Sequence, residues 1–410
     1  MMNMINLEEK ATPYMKFLNA CVYILLFLAA LNVFNLYVYL LLLVTAIFVV
    51  TPKRVVSVNA SLGWLFLFAL AMVIFNPSMR KGPYEMVTAF LYPLCYFVGT
   101  GLVFSRKDRN ATYKATERII LILALGTFGH YLLNWLFNRN MAIEADRSVV
   151  DVWSNSVLSA TGQATFACLA IGVLSAFLFS RVGAKKKTLA VFLLVVVLLF
   201  NLILAGRTSF ALLIILLSFA LLHYLVAHKK ARVKTILIVL LIVVLILVLY
   251  NANAFNIKRM VEMSNFHNRF VSGDTIQEID DDSRLENKLA YLERFGDHFF
   301  GGGHIYKDFG HSAHDLYLDT YDDAGIFALI AILAYIIASL GRMLRCLRSK
   351  TISFELKQLI VCVYLVVNIQ FWLEPIMRGM PWLLAFYCLI DGVVTSLLCS
   401  ESEEKSLGGT

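Results

Sequence analysis

Charge is scarce in this sequence: Asp, Glu, Lys and Arg make up 16% of its 410 residues, where a soluble domain carries about a quarter. With 60% hydrophobic residues and a mean hydropathy of +0.74, that shortage excludes an ordinary soluble globule and predicts a polytopic membrane protein. Metal-ligand spacing is missing too. The cysteines (Cys21, Cys95, Cys168, Cys346, Cys362, Cys388 and Cys399) fall in apolar runs or a basic loop, so they read as packing residues or reduced thiols and not as a disulfide framework. No HExxH or comparable ligand pattern occurs, and neither a metal nor a cofactor is expected. A cleavable leader is not expected, because the first apolar run is long and continues into further spans. The formal charge of +8 raises the question of nucleic acid. In a membrane chain, however, basic residues set orientation, so the bilayer is the expected partner and nucleic acid is not.

What is present is a series of apolar runs. A span needs about 20 mostly apolar residues, and that ruler gives about twelve, near 14–34, 36–51, 61–77, 86–105, 118–138, 157–180, 187–205, 208–227, 233–252, 323–341, 355–374 and 380–399. The expected organisation is nine transmembrane helices in 1–252, a large loop at 253–322, three helices in 323–400 and a tail at 401–410. The connecting loops alternate in basic charge. Lys53 and Arg54, the cations of 105–118, "SRVGAKKK", "HKKARVK" and "GRMLRCLRSK" all fall on one face, which the positive-inside rule makes cytoplasmic together with both termini. The opposite face receives "NPSMRKGPYE", a polar segment at 139–156, the turn "AGRTS", the 253–322 loop and "EPIMRGMP". Arg207, the whole long loop and Arg378 therefore share the outer face.

Each of these carries chemistry that must be weighed against a plainer role. Arg207 breaks two strongly apolar runs. It reads equally as an interfacial anchor or as an anion ligand, with Gly206, Thr208 and Ser209 offering a donor-rich turn. In the long loop, 253–282 is polar and ends in "EIDDD", whereas Leu285, Leu289, Leu292 and Phe295 recur at helical spacing. That spacing predicts an amphipathic helix along the membrane surface, starting at Ser283 with Glu286 three residues on and broken by Gly301–Gly303. Arg284 in the first turn opposes the helix dipole, so it reads as a ligand for an external anion or as a solvated charge. His311 and His314 are three apart and, on a helix, could join Asp315, Asp319, Asp322 and Asp323 in a metal site; that is the minor reading, since Asp322 and Asp323 also suit the N-terminus of an entering helix. A neutral imidazole beside arginines suits proton removal from a hydroxyl near neutral pH. Glu374 and Arg378, four apart, pair with each other or release Arg378 to the anion site.

Three segments together resemble the O-antigen polymerase and O-antigen ligase superfamily, the Wzy-like and WaaL-like membrane glycosyltransferases. "AGRTSF" resembles the arginine that opens a span after a short outer turn, and "SRLENKLAYLERFGDHFFGGG" resembles the Arg-led amphipathic helix with its glycines. In "HDLYLDTYDDAGIFALI", His314, Asp315, nine residues and Gly325 resemble the family's His, small polar residue, nine residues and Gly; Ala328 replaces the second glycine, and Asp315 stands where Asn is commoner. The resemblance implies an all-α, GT-C-like, metal-independent glycosyltransferase of the bacterial inner (plasma) membrane. Its donor would be an undecaprenyl-diphosphate-linked oligosaccharide at the outer leaflet. It also implies that Arg207 and Arg284 hold the diphosphate through fork-like guanidinium contacts. His314 would be the catalytic base, with His311, Asp315, Tyr317, Arg378 and Glu374 as further substrate-binding candidates. The acceptor would be a second lipid-linked repeat unit in a polymerase making O-antigen, capsule or exopolysaccharide, with a flippase and a chain-length regulator as expected partners. A ligase passing the glycan to lipid A–core or protein is the alternative. A transporter is the reading from another class, and the near absence of charge within the spans argues against it.

Overall fold

The computed structural model describes residues 13–51, 56–103, 109–137, 148–204, 206–253 and 283–407. The polar stretch 254–282, with its acidic "EIDDD", lies outside the described residues. Helices α1 (Pro13–Ala30), α2 (Tyr37–Val50), α3 (Ala60–Phe75), α4 (Pro83–Leu102) and α5 (Arg109–Phe137) open the bundle. A two-stranded antiparallel hairpin follows, with β1 (Ser148–Val150) inside the segment that the sequence marks only as polar and β2 (Val157–Ser159) taking the first residues of the span expected at 157–180. The chain continues through α6 (Ala160–Leu178), α7 (Ala184–Leu204), α8 (Arg207–Ala227), α9 (Arg232–Asn251) and α10 (Ser283–Glu293). It closes with α11 (His304–Phe309), α12 (Leu316–Arg348), α13 (Phe354–Leu373), α14 (Ile376–Gly379) and α15 (Pro381–Leu407).

This is an all-α multi-pass membrane protein. Among the described residues, 7 helices are long and apolar enough to cross a bilayer, and three shorter apolar helices lie in α1, α2 and α3. Helix α6 is buried on nearly every side, and α8 mostly faces outward. Close backbone contact replaces hydrophobic driving force where helices pack inside lipid. At the α4–α15 crossing a Cβ on Gly99 would stand 2.3 Å from the Leu389 carbonyl oxygen, and one on Gly392 would stand 2.2 Å from that of Tyr96. All seven cysteines are free thiols.

Two boundaries differ from the sequence reading, each for a local reason. Helix α12 starts at Leu316 and not at 323, because the Asp315 carboxylate accepts from the amides of Tyr317 (2.8 Å) and Leu318 (3.1 Å) and caps it. Asp322 and Asp323 therefore lie in the second turn and not at its start. The same helix runs through "GRMLRCLRS" to Arg348, so Arg342 is not a loop cation. It is buried, donating from Nε to Asp391 (2.8 Å) and from Nη1 to Ser61 (2.6 Å), while Nη2 binds the other Asp391 oxygen. Tyr364 also donates to Asp391 (2.7 Å), which completes the satisfaction of a charge pair inside the bundle.

Candidate functional site

The amphipathic helix α10 forms where its spacing predicts, with its apolar face turned outward. Leu285, Leu289, Leu292 and Phe295 are exposed, as a face lying on lipid would be. Arg284, Lys288 and Tyr291, at i, i+4 and i+7, point into the bundle. Arg284 donates to Thr161 Oγ1 (2.8 Å) at the start of α6, to the Leu373 carbonyl (3.3 Å) and to Glu374 Oε1 (3.5 Å). One turn on, Lys288 reaches Asp315 Oδ2 (3.4 Å) and the Trp372 carbonyl. Tyr291 donates to the His311 carbonyl (2.9 Å).

His314 sits between two anchored neighbours. The amide of Ala313 donates to Asp319 Oδ1 (2.9 Å), and Asp315 caps α12 while taking Lys288. The imidazole-bearing residue itself adopts a left-handed conformation (φ 53) and is half-buried. His311 is exposed, and both histidines lie in the non-helical stretch before α12. Their spacing of three is therefore not a helical one, which removes the geometric basis for a shared metal. The acids proposed to join them have other work: Arg378 takes Asp322 (2.7 Å), Asp323 (2.6 Å) and Asp319 (3.7 Å). Its guanidinium also lies 4.2 Å from the Tyr306 ring centroid. Glu374 and Arg378 thus do not pair with each other. Pro375 and the short α14 turn them to different partners, and Arg378 is a tie between α12 and α14 more than an open anion ligand. Tyr317 packs its ring against Trp372 (4.8 Å).

Arg207 opens α8. A Cβ built on Gly206 would lie 3.6 Å from the Ala160 carbonyl oxygen, so the backbone leading into Arg207 passes beside Ala160–Thr161, where Arg284 is bound. Residues of the three segments that carry the family resemblance therefore lie at one end of the bundle: Gly206 beside Ala160, Arg284 on Thr161 and Glu374, and Asp315 on Lys288. The glycines have a steric reason as well. Gly301 crosses the break in α12 at Gly325, and Cβ atoms there would stand 2.5 Å from Gly325 N and 2.4 Å from Phe299 O respectively. The crossing is held by Gly302 N to Asp323 O (3.1 Å), Gly303 N to Asp322 O (2.7 Å) and Ile326 N to Phe299 O (3.0 Å).

Electrostatics make the Glu374 carboxyl adjustable. Asp315, Asp319, Asp322, Asp323 and Glu374 face Arg284, Lys288 and Arg378, so acids outnumber cations in this cluster. Burial pushes the Glu374 carboxyl up to about 7, against the pull of Arg284 and Thr161. Burial also raises Asp315, opposed by the Leu318 amide and Lys288. Burial alone would lower the Arg378 guanidinium, but Asp323 and its neighbours hold it above its ordinary value. Near neutrality Glu374 takes up a proton readily, which weakens its hold on Arg284.

Sequence reasoning did not mark His130 and Asp151. His130 Nε2 lies 2.6 Å from Asp151 Oδ2 in a buried pair, and the other oxygen accepts from Trp153 N (2.9 Å) and Ser154 N (2.8 Å). Burial would raise the Asp151 carboxyl, but His130 and those amides hold it well below the usual carboxylate range. No family model and no curated protein matches this chain.

Proposed function

We propose that the chain is a GT-C-like glycosyltransferase of about twelve spans in the bacterial plasma membrane, polymerising glycan repeat units carried on polyprenyl diphosphate at the outer leaflet. The observation that carries this reading is the meeting of Arg284, Thr161 and Glu374 with the backbone entering Arg207, joined through Lys288 to the Asp315 next to His314. A diphosphate would exchange for Glu374 on Arg284, with Arg207 as its second guanidinium. The acceptor hydroxyl oxygen attacks the donor anomeric carbon as the bond from that carbon to the diphosphate oxygen breaks. His314 takes the hydroxyl proton, and the arginines stabilise the departing polyprenyl diphosphate, a charge placement that supplies the electrophilic help.

The test is extension of a purified lipid-linked repeat unit with no other acceptor present. Wild-type protein lengthens it, His314→Ala does not, and Arg207→Lys is impaired because an ammonium lacks the fork. Extension that persists in His314→Ala removes that residue from the reaction, and loss of extension in chelator revives the metal reading. A protein that lengthens nothing alone but transfers glycan to lipid A–core or protein is a ligase.

A further inference from the structure

At the same end of the bundle, beyond Arg378, a cavity of about 420 Å³ opens between the α1–α2 turn, the start of α4, the β-hairpin and Met377–Trp382. That volume falls within the range of small-molecule sites, about 300–1,000 Å³. Its rim includes a strained turn. Asn32 (φ 51), Phe34 (φ 50) and Asn35 (φ 59) are all left-handed without being glycine. Asparagine tolerates that region, but phenylalanine there is an outlier, and strain of this kind collects at functional sites. Phe34 is held against Trp153 (5.0 Å between rings), whose indole N–H donates to the Leu31 carbonyl (3.2 Å). The turn thereby sets Asn32 and Asn35 on the cavity wall, joined by an Asn32 Nδ2 to Asn35 Oδ1 bond (2.9 Å). Asn32 is only 7% exposed, and its Oδ1 has no hydrogen-bond partner among the described residues. A buried acceptor left unpaired is costly unless a ligand donates to it.

The charges lining this cavity narrow the ligand class. Arg378 is already bound by Asp322 and Asp323, and Asp151 by His130 and two amides, so neither offers an open charge. The wall also carries the Glu85 carboxylate, the Asn32 and Asn35 amides and the exposed Tyr84 ring, while Trp382 is buried and stacked on Phe166 (4.8 Å). Flat apolar faces flanked by acceptors and amide donors suit a neutral pyranose, whose C–H face stacks and whose hydroxyls donate. A phosphate finds no open cation there.

We propose that this cleft binds a neutral sugar ring of the acceptor glycan, with Glu85 and Asn32 accepting from its hydroxyls and Tyr84 stacking on its face. The assignment to the acceptor rests on the glycosyl-transfer reading; the binding of sugar does not. It also places the acceptor next to the segment 374–381, whose first residue holds Arg284.

The experiment titrates full-length protein in lipid nanodiscs with the free neutral oligosaccharide released by mild acid from the host's lipid-linked repeat unit, and in parallel measures extension of that lipid-linked unit. Glu85→Gln and Tyr84→Ala are the variants. Tyr84 is 40% exposed, so its loss leaves no core cavity. Each should weaken oligosaccharide binding about tenfold, as expected for losing a charge-assisted hydrogen bond or a stacking face. Where extension occurs, KM for the acceptor should rise by a similar factor while kcat stays near wild type. Unchanged Kd in both variants, no binding by wild type, or displacement of the oligosaccharide by inorganic pyrophosphate would each overturn the cleft. Binding that depends on these residues without any extension sustains the cleft and refutes the transfer reading alone.

Discussion

Replacing Gly325 with alanine should open the crossing on which the candidate site rests. Gly325 has φ 75 and ψ −170, a region open in practice only to glycine; another residue pays about 1–3 kcal/mol to enter it. Its new Cβ would stand 2.4 Å from Phe299 O and 2.6 Å from Phe300 C, where carbon contacts normally begin at about 3.5 Å. Relief requires the 299–303 segment to back away by about an ångström, and that breaks the Ile326–Phe299, Gly302–Asp323 and Gly303–Asp322 bonds. At roughly 1 kcal/mol net for each bond, the total is about 4–6 kcal/mol. Gly310→Ala is the control: its φ is 73, nothing lies within 4 Å of its Cβ, and the cost is the left-handed term alone, about 1–2 kcal/mol. Thermal melting of purified protein in detergent should show a shift for Gly325→Ala several times that of Gly310→Ala. Hydrogen exchange should show lost protection at the amides of Gly302, Gly303 and Ile326. Equal melting shifts for the two variants would mean that the 299–303 segment does not press on α12, and the steric account of these glycines would fail.

Asp391→Asn should lower stability by about 3–5 kcal/mol, because it leaves the buried Arg342 uncompensated; the double variant Arg342→Met, Asp391→Leu should recover most of it by the same melting assay. The Glu374 carboxyl is raised from 4.5 to about 7 in the folded protein. The folded state therefore holds more protons than the unfolded chain between those values, and stability falls as pH rises through that window and levels off above it. Glu374→Gln should flatten that slope in melting curves taken from pH 5 to pH 8, and an unchanged slope would refute the assignment. Asp315→Ala should cost about 1 kcal/mol through the lost cap of α12, whereas Asp315→Asn should cost only a few tenths, read by the same melting assay.

The parts of this fold that could be read from sequence are those where the bilayer makes an error expensive. A charge set among apolar residues stands out because lipid penalises it, so Arg207, Arg284 and the acids at the start of α12 were visible as a set, and the alternation of basic loops predicted which of them share an end. The amphipathic helix was visible for the same reason, its leucines recurring every three or four residues. Pairing was not visible. Whether Arg378 takes Glu374 or the aspartates depends on how α14 turns after Pro375, and whether Arg342 is a surface cation or a buried one depends on α12 continuing seven residues beyond the apolar run.

The neutral cleft was hidden for a different reason. Asparagine in "LNVFNLY" and glutamate in "GPYEM" are common in any connection between spans, and nothing in their spacing distinguishes a turn that merely reverses the chain from one that aims Asn32 at a cavity. The distinction appears only in the backbone, where Phe34 is held left-handed against Trp153. If diphosphate recognition needs charge and sugar recognition needs shaped neutral polarity, a glycosyltransferase of the proposed kind should show its donor site in sequence and conceal its acceptor site. That asymmetry is physical: guanidinium groups are rare enough at a membrane boundary to be conspicuous, whereas amides, hydroxyls and tyrosines acquire meaning only from the cavity they surround.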